Sequence, residues 1–364
     1  MASSLDITPL NAWLAASSLP LVIAGPCSAE SESQVMETAQ AVSKIPQVKV
    51  FRAGIWKPRT RPGAFEGVGT AGLTWLQKVK KETGLLVTVE VANPRHVHEA
   101  LDHGIDILWI GARSVVNPFS VQEIGEAIGH RDIPVMIKNP LNPDLHTWLG
   151  AIERLNRFGL KKLIAVHRGF SFFNRSPYRN APMWEIPIEL KRMHPNLPVF
   201  VDPSHICGNR ELIPATMQKA LDLEMNGLMI ETHINPSKAL TDKNQQLTPS
   251  QLLEFLTKLI LRLESNDDSY SHHLEELRSE IDKLDEEMID ILARRMNVVE
   301  EIGEYKKANK ITILQLKRWN QLTQDRIETG IKLGLSREFI LKLLESVHEE
   351  SIQRQIDVMN REEP

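Results

Sequence analysis

Arg52, Lys57, Arg59 and Thr60 place three cations and a hydroxyl within nine residues, around Pro58 and close to Gly54. Arginine offers a planar fork that fits carboxylate or phosphate, and lysine offers a point charge. Held by one proline and one glycine, the stretch suits a preorganised anion site, although a solvated basic loop would read the same way in isolation. Further cations argue for the site. Arg113, Lys138 and Arg168 each follow another short apolar run. Together Arg52, Lys57, Arg113, Lys138 and Arg168 could serve a substrate that carries both phosphate and carboxylate. A second set, Cys27, His205, Glu231 and Asp242, mixes sulfur, nitrogen and oxygen donors. Such a mixture suits a divalent transition metal rather than calcium. Its spacing has no metal-finger pattern. Without a fold to gather these residues, Cys27 reads as a buried thiol and His205 as a helix-start residue.

Eight apolar runs could do the gathering: LPLVIAG, VKVFRAG, LLVTVEV, ILWIGAR, PVMIKN, KLIAVHRG, PVFVDPSH and GLMIETH, all between residues 19 and 233. They are rich in Val and Ile and lack clean alternation, as parallel strands buried on both faces do. Helical patterns separate them, so the sequence predicts an α/β fold, a (β/α)8 TIM barrel of near the usual ~250 residues. An open doubly wound sheet is the alternative, but no Gly-x-Gly-x-x-Gly follows the first run. In such barrels the C-terminal strand ends form the active face. Here those ends carry, in order, Cys27, Arg52 with Lys57, Glu90, Arg113, Lys138, Arg168, Asp202 with His205, and Glu231 with His233. A surface ion pair would explain any one of them, but not a polar group at every end.

Composition narrows the class. A chain of 364 residues, 25% charged and 42% hydrophobic, fits a soluble protein of two domains. A net charge of −4 argues against nucleic acid as a partner. Cys27 and Cys207 are too few for a disulfide framework and fit a reducing cytoplasm. The N-terminal residues show neither a basic signal region nor a long apolar run, so neither secretion nor a membrane is expected.

AGPCS (24–28), FRAGIWKPRT (51–60), GARS (111–114), IKNP around Lys138, HRG around Arg168, DPSH (202–205) and ETH at Glu231 resemble the short-form (type I beta) 3-deoxy-D-arabino-heptulosonate 7-phosphate (DAHP) synthases. The resemblance covers residues 19–262, within a barrel domain read as 1–263. It implies condensation of phosphoenolpyruvate with erythrose 4-phosphate at the entry to the shikimate pathway. It further implies a divalent metal ion, Mn²⁺ first and Co²⁺, Fe²⁺ or Zn²⁺ otherwise, on Cys27, His205, Glu231 and Asp242. Phosphoenolpyruvate would meet Arg52, Lys57, Arg113, Lys138 and Arg168, and erythrose 4-phosphate would meet Arg59 and Thr60. Lys57, between the two anion sets, is the expected proton donor to the aldehyde oxygen, with a pKa depressed by burial among arginines. Departures from the family pattern are Asn139-Pro140 after Lys138, His167 before Arg168, and the TDKNQQL setting of Asp242. Synthases of 3-deoxy-D-manno-octulosonate 8-phosphate share the barrel but carry another loop where KPRT stands.

Residues 264–273 (ESNDDSYSHH) read as a polar linker, and 274–364 as an all-helical domain without proline until Pro364. Leu274, Leu277, Ile281, Leu284, Met288, Ile291, Val298, Ile302 and Tyr305 follow helical spacing, and Arg295 fills one place in that series. Arg295 and Lys306, eleven residues apart, lie on nearly one helical face. Arg278 is about 25 Å before Arg295 and could only complete a partner's site. The pattern Arg278, Asp285, Arg295, Gly303, Lys306, Arg318, Ser351 and Gln355 resembles the all-helical (AroQ-class) chorismate mutases, which are intertwined dimers. It implies chorismate as substrate, bound by Arg278 from a partner chain, Arg295, Lys306, Arg318, Ser351 and Gln355. Lys306 and Gln355 would act on the ether oxygen. Gln315 and Trp319 stand where many members carry acids. The helical domain is thus expected to make a homodimer or higher homo-oligomer. It is also expected to be where prephenate or chorismate inhibits the synthase, since few residues precede the first strand. The alternative is an octulosonate-type barrel with a non-catalytic dimerisation or effector-binding module.

Overall fold

The computed structural model describes residues 5–14, 20–57, 63–173, 176–262 and 268–361, with side chains in the last stretch from residue 274 onward. All eight apolar runs form strands: β1 Leu21–Gly25, β2 Val48–Arg52, β3 Leu86–Val91, β4 Ile107–Ile110, β5 Val135–Lys138, β6 Leu163–His167, β7 Val199–Val201 and β8 Gly227–Glu231. Each pairs in parallel with its successor and β8 closes onto β1, giving a barrel in sequence order. Ile164 and Val166 of β6 fill the barrel interior beside Ile23, Val50, Trp109, Met136, Phe200 and Met229, whereas Leu163 and Ala165 pack outward. Both faces are buried, which is why the runs show no polar alternation.

The first unit, Met1–Arg262, carries helices α1 Glu32–Val42, α2 Ala71–Thr83, α3 Pro94–Asp102, α4 Pro118–Ile128, α5 Leu145–Arg157, α6 Glu185–Met193, α7 Pro203–Cys207, α8 Ile213–Asp222 and α9 Pro249–Thr257. Side chains of Ser31, Asn93, Asn117, Asp144, Asp202 and Thr248 accept first-turn amides and fix where helices start after strands or loops. Gly25 matters for the site: a Cβ there would lie 2.1 Å from the Arg52 carbonyl oxygen. Its absence lets the ends of β1 and β2 approach, bringing Cys27 beside Lys57.

The second unit, Leu263–Pro364, contains α10 Asp268–Ala308, α11 Leu316–Lys332 and α12 Arg337–Asn360. Helix α10 begins inside the stretch read as linker. That stretch lacks glycine and proline, so nothing in it stops a helix from running back to Asp268. Contacts of Arg295 with Ser351, Glu300 with Arg354 and Lys307 with Arg361 show that α10 and α12 run in the same direction. Met296, Val299 and Gly303 are buried at this contact, and a Cβ on Gly303 would meet Val358 at 3.2 Å. The predicted apolar series lies elsewhere: Leu274, Leu277, Ile281, Leu284, Met288, Ile291, Val298, Ile302 and Tyr305 are all exposed. The 41-residue α10 outruns the 24-residue α12 by about 25 Å.

Candidate active sites

At the C-terminal mouth of the barrel, Lys57, Arg113, Lys138, Arg168, His205 and Asp242 line one cavity. Arg52, the last residue of β2, is 1% exposed. Its Nη2 donates to Glu231 Oε1 at 3.2 Å, its Nη1 lies 3.8 Å from Asp202 Oδ2, and its guanidinium rests 5.2 Å over the Trp109 ring. Its Nε and Nη1 have no hydrogen-bond partner among the described residues, which leaves donors for an anion. Lys138 Nζ donates to Asp202 Oδ2 at 2.8 Å, and Arg168 Nη1 to Asn180 Oδ1 at 2.8 Å. Burial pushes Lys138 below the ordinary lysine value despite Asp202, and pushes Arg168 down to about 10. His167 points the other way, fully buried with Trp148, Phe170 and Trp184 around it, and burial pushes it down to about 3.

The direction predicted for Lys57 is corrected. Its Nζ donates to the Cys27 carbonyl oxygen at 2.8 Å and to Cys27 Sγ at 3.1 Å. Burial lowers it, but the Cys27 sulfur, Glu90 and Glu231 outweigh burial and hold it above the ordinary value. The Cys27 thiol is itself pushed up to about 12 by burial and Glu231. The direction at Lys57 thus follows its neighbours, the Cys27 sulfur first and Glu90 and Glu231 after it.

Three of the four expected donors gather as a metal site requires, with His205 beside rather than within the group. Ligand atoms of Cys27, Glu231 and Asp242 lie within 4.8 Å of one another. His205 Nδ1 meets Asp202 Oδ2 at 2.8 Å, and a carboxylate can only accept, so Nδ1 carries the proton. His205 Nε2 then turns a lone pair toward Glu231 Oε1, 3.7 Å away. Two acceptors facing each other with no proton between them leave a place for a cation. Asp242 adopts φ +46°, a left-handed conformation that aspartate tolerates better than most residues. Its Oδ1 accepts from Arg179 Nη1 at 2.8 Å and its Oδ2 from Cys27 Sγ at 3.3 Å.

In the helical unit, Arg295 Nη1 donates to Ser351 Oγ at 2.6 Å. Lys306 Nζ donates to Gln355 Oε1 at 2.9 Å and to the Ile313 carbonyl at 2.7 Å. Burial lowers the pKa of both cations. Arg278 pairs with Glu275 on its own helix and does not reach Arg295, while Arg318 is exposed on α11.

Residues 14–263 match the model of the DAHP synthetase I family. The chain belongs to that family. Residues 277–356 match the model of type II chorismate mutases. A phospho-2-dehydro-3-deoxyheptonate aldolase of Thermotoga maritima is 33% identical over 226 residues, covering 62% of this chain and 64% of that relative. A solved structure of the Thermotoga maritima DAHP synthase gives a TM-score of 0.60 at 32% identity, over 65% of this chain and 67% of the other. A 2-dehydro-3-deoxyphosphooctonate aldolase of Vesicomyosocius okutanii is 27% identical, over 67% of this chain and 90% of the relative. The heptonate relative is thus the more similar of the two kinds.

Within the family fold, Arg59 and Thr60 lie outside the described residues. Several side chains that organise the site had no assigned role in the sequence reading. Asp202 joins Lys138, His205 and Arg52; burial opposes its charge, but His205, Lys138 and Arg52 hold it well below the carboxylate range. Gln245 Nε2 donates to Glu231 Oε2 at 2.7 Å, and Gln246 Oε1 accepts from the Cys27 amide at 2.9 Å. Arg179 grips both Asp242 and Gln245. The DPSH and TDKNQQL segments contained Asp202, Gln245 and Gln246, but Arg179 follows no strand and left no signal. Among the described residues, no helix is long and apolar enough to cross a membrane.

Proposed function

We propose that the barrel condenses phosphoenolpyruvate with erythrose 4-phosphate to DAHP and phosphate, and that the helical unit rearranges chorismate to prephenate. The observation that carries the first half is the convergence of five cations and the Cys27, His205, Glu231 and Asp242 donors at one barrel mouth. Arg52, Lys138 and Arg168 bind and orient the phosphoenolpyruvate anion beside Arg113. Carbon 3 then attacks the aldehyde, water takes the cationic carbon 2, and phosphate leaves from the resulting hemiketal. The cations overcome repulsion between two phosphorylated substrates, so their contribution is positional as well as electrostatic. Lys57, which stays charged, supplies the proton to the aldehyde oxygen by its position. A divalent metal on Cys27, His205, Glu231 and Asp242, with Mn²⁺ first, would supply Lewis acidity and orient the aldehyde. Asp202, Gln245 and Arg179 hold that donor set in place. Arg59 and Thr60 take the erythrose phosphate.

Chorismate rearrangement is unimolecular and needs donors where the breaking C–O bond gains negative charge. Lys306 and Gln355 meet that need, Arg295 takes a carboxylate, and Ser351 and Arg318 support them. Arg278 comes from a partner chain in a homodimer closed over the exposed apolar stripe of α10. Prephenate, bound at this unit, inhibits the synthase. One assay tests the pair of activities: phosphoenolpyruvate loss with erythrose 4-phosphate against arabinose 5-phosphate, run beside chorismate loss. Preference for arabinose 5-phosphate would reassign the barrel to the octulosonate reaction.

A further inference from the structure

Helix α12 presents Ser351 and Gln355 to the two cations of α10. His348 lies one turn before Ser351 on the same stripe, since positions three and seven apart share a helical face. Trp319 of α11, next to Arg318, stacks on the His348 ring with centroids 3.7 Å apart and planes 17° from parallel. Burial, and then the charge of Arg295, lower the His348 pKa, so the imidazole is neutral at pH 7 and within electrostatic reach of Arg295. Neither of its ring nitrogens has a hydrogen-bond partner among the described residues, and both rings are half-buried. Gln315 stands exposed at the start of α11. In the mutase reading Arg295 takes a carboxylate and Lys306 with Gln355 the ether oxygen, while Trp319 and His348 form a neutral aromatic pair beside them.

We propose that Trp319 and His348 form one specificity element of this site, in which the imidazole takes the ring hydroxyl of a cyclic dicarboxylate and the indole fixes the imidazole plane. The proposal rests on the mutase reading. His348 is the contact, able to accept or donate through its ring nitrogens. Trp319 is a positioning residue: without the stack, His348 keeps its chemistry but loses its aim.

The test uses the full chain and two probes: the bicyclic dicarboxylate that mimics the rearrangement transition state, and the same molecule lacking its hydroxyl. Calorimetric titration of the wild type should show a preference of about tenfold for the hydroxylated probe, the size of one hydrogen bond. His348→Leu and Trp319→Leu should bring the ratio close to one, and Trp319→Phe, which can still stack, should keep most of it. Helical circular dichroism checks that each variant is folded; if His348→Leu is not, His348→Phe, which can stack but has no ring nitrogens, and Trp319→Leu carry the comparison. An unchanged ratio in folded variants, or no preference in the wild type, overturns the proposal while chorismate turnover leaves the mutase reading standing. A wild type that neither binds the probes nor rearranges chorismate overturns both.

Discussion

The two candidate sites use the same kinds of cation under opposite conditions. In the barrel, Arg52 and Lys138 are almost fully buried and already face carboxylates, Glu231 and Asp202. In the helical unit, Arg295 and Lys306 meet neutral acceptors among the described residues: Ser351, Gln355, the Ile313 carbonyl and the Met296 sulfur. A buried cation without a counter-charge is costly, and Arg52 and Lys138 are the more deeply buried, so their pocket contains its own anions. Arg295 is half-buried and Lys306 is 9% exposed, and hydroxyl, amide and carbonyl oxygens can hold these two until a dianion arrives. The barrel is therefore organised before binding, whereas the helical site is completed by its ligand and, in our proposal, by a second chain.

The largest effect that could break this comparison is loss of the metal. Chelation should take synthase activity below detection, Mn²⁺ should restore it, and Cys27→Ala should lose it in a folded barrel, with chorismate turnover untouched throughout. Full synthase turnover by chelated enzyme would remove the reason for the buried carboxylates. Next in size, Arg295→Ala or Lys306→Ala should lower chorismate rearrangement by about 10²–10³-fold, the loss of one donor to developing charge. Synthase rates without effector should not change. If the mutants rearrange chorismate normally, the uncompensated cations have some other purpose.

Coupling between the units comes third. Prephenate should inhibit the synthase in the full chain by a factor within the usual allosteric range of about 5- to 150-fold, and much less after truncation near Ser265. Equal sensitivity of the two forms would move the effector site onto the barrel. The last effect is read as stability rather than rate and concerns His167. Its pKa is depressed to about 3 in the fold and is about 6.5 unfolded. Its contribution to stability is complete above pH 6.5 and shrinks as pH falls toward 3, because the unfolded chain takes up the proton first. The slope is up to about 1.4 kcal/mol per pH unit. Urea unfolding followed by tryptophan emission, which Trp148 and Trp184 report beside His167, should show a shallower acid limb in His167→Gln. An identical limb in the variant would assign the acid sensitivity to other groups.

How much of this was legible depended on where each signal lay. The eight strands were readable because burial on both faces leaves uninterrupted Val and Ile runs. The cations at strand ends were readable because barrel topology sends those ends to one mouth. Arg179 was not, since its role depends on the long excursion after β6 returning to Asp242. The apolar stripe of α10 was found by its period, but the period does not say what covers it. On the packed face of α10, Met296 and Val299 did not stand out, because the next place on that face, Gly303, lacks the apolar bulk that would extend the period.

By itself, the sequence determined the barrel, the helical unit, and the identity of the side chains available for chemistry. Those follow from local patterning and from donor types, which one-dimensional order preserves. Only the tertiary structure decided that Asp202 would join Lys138, Arg52 and His205, that Lys57 would stay charged, and that Trp319 would lie on His348. Each depends on distances of a few ångströms between residues far apart in the chain. Electrostatic and hydrogen-bond energies change steeply over such distances, and residue order alone does not encode them.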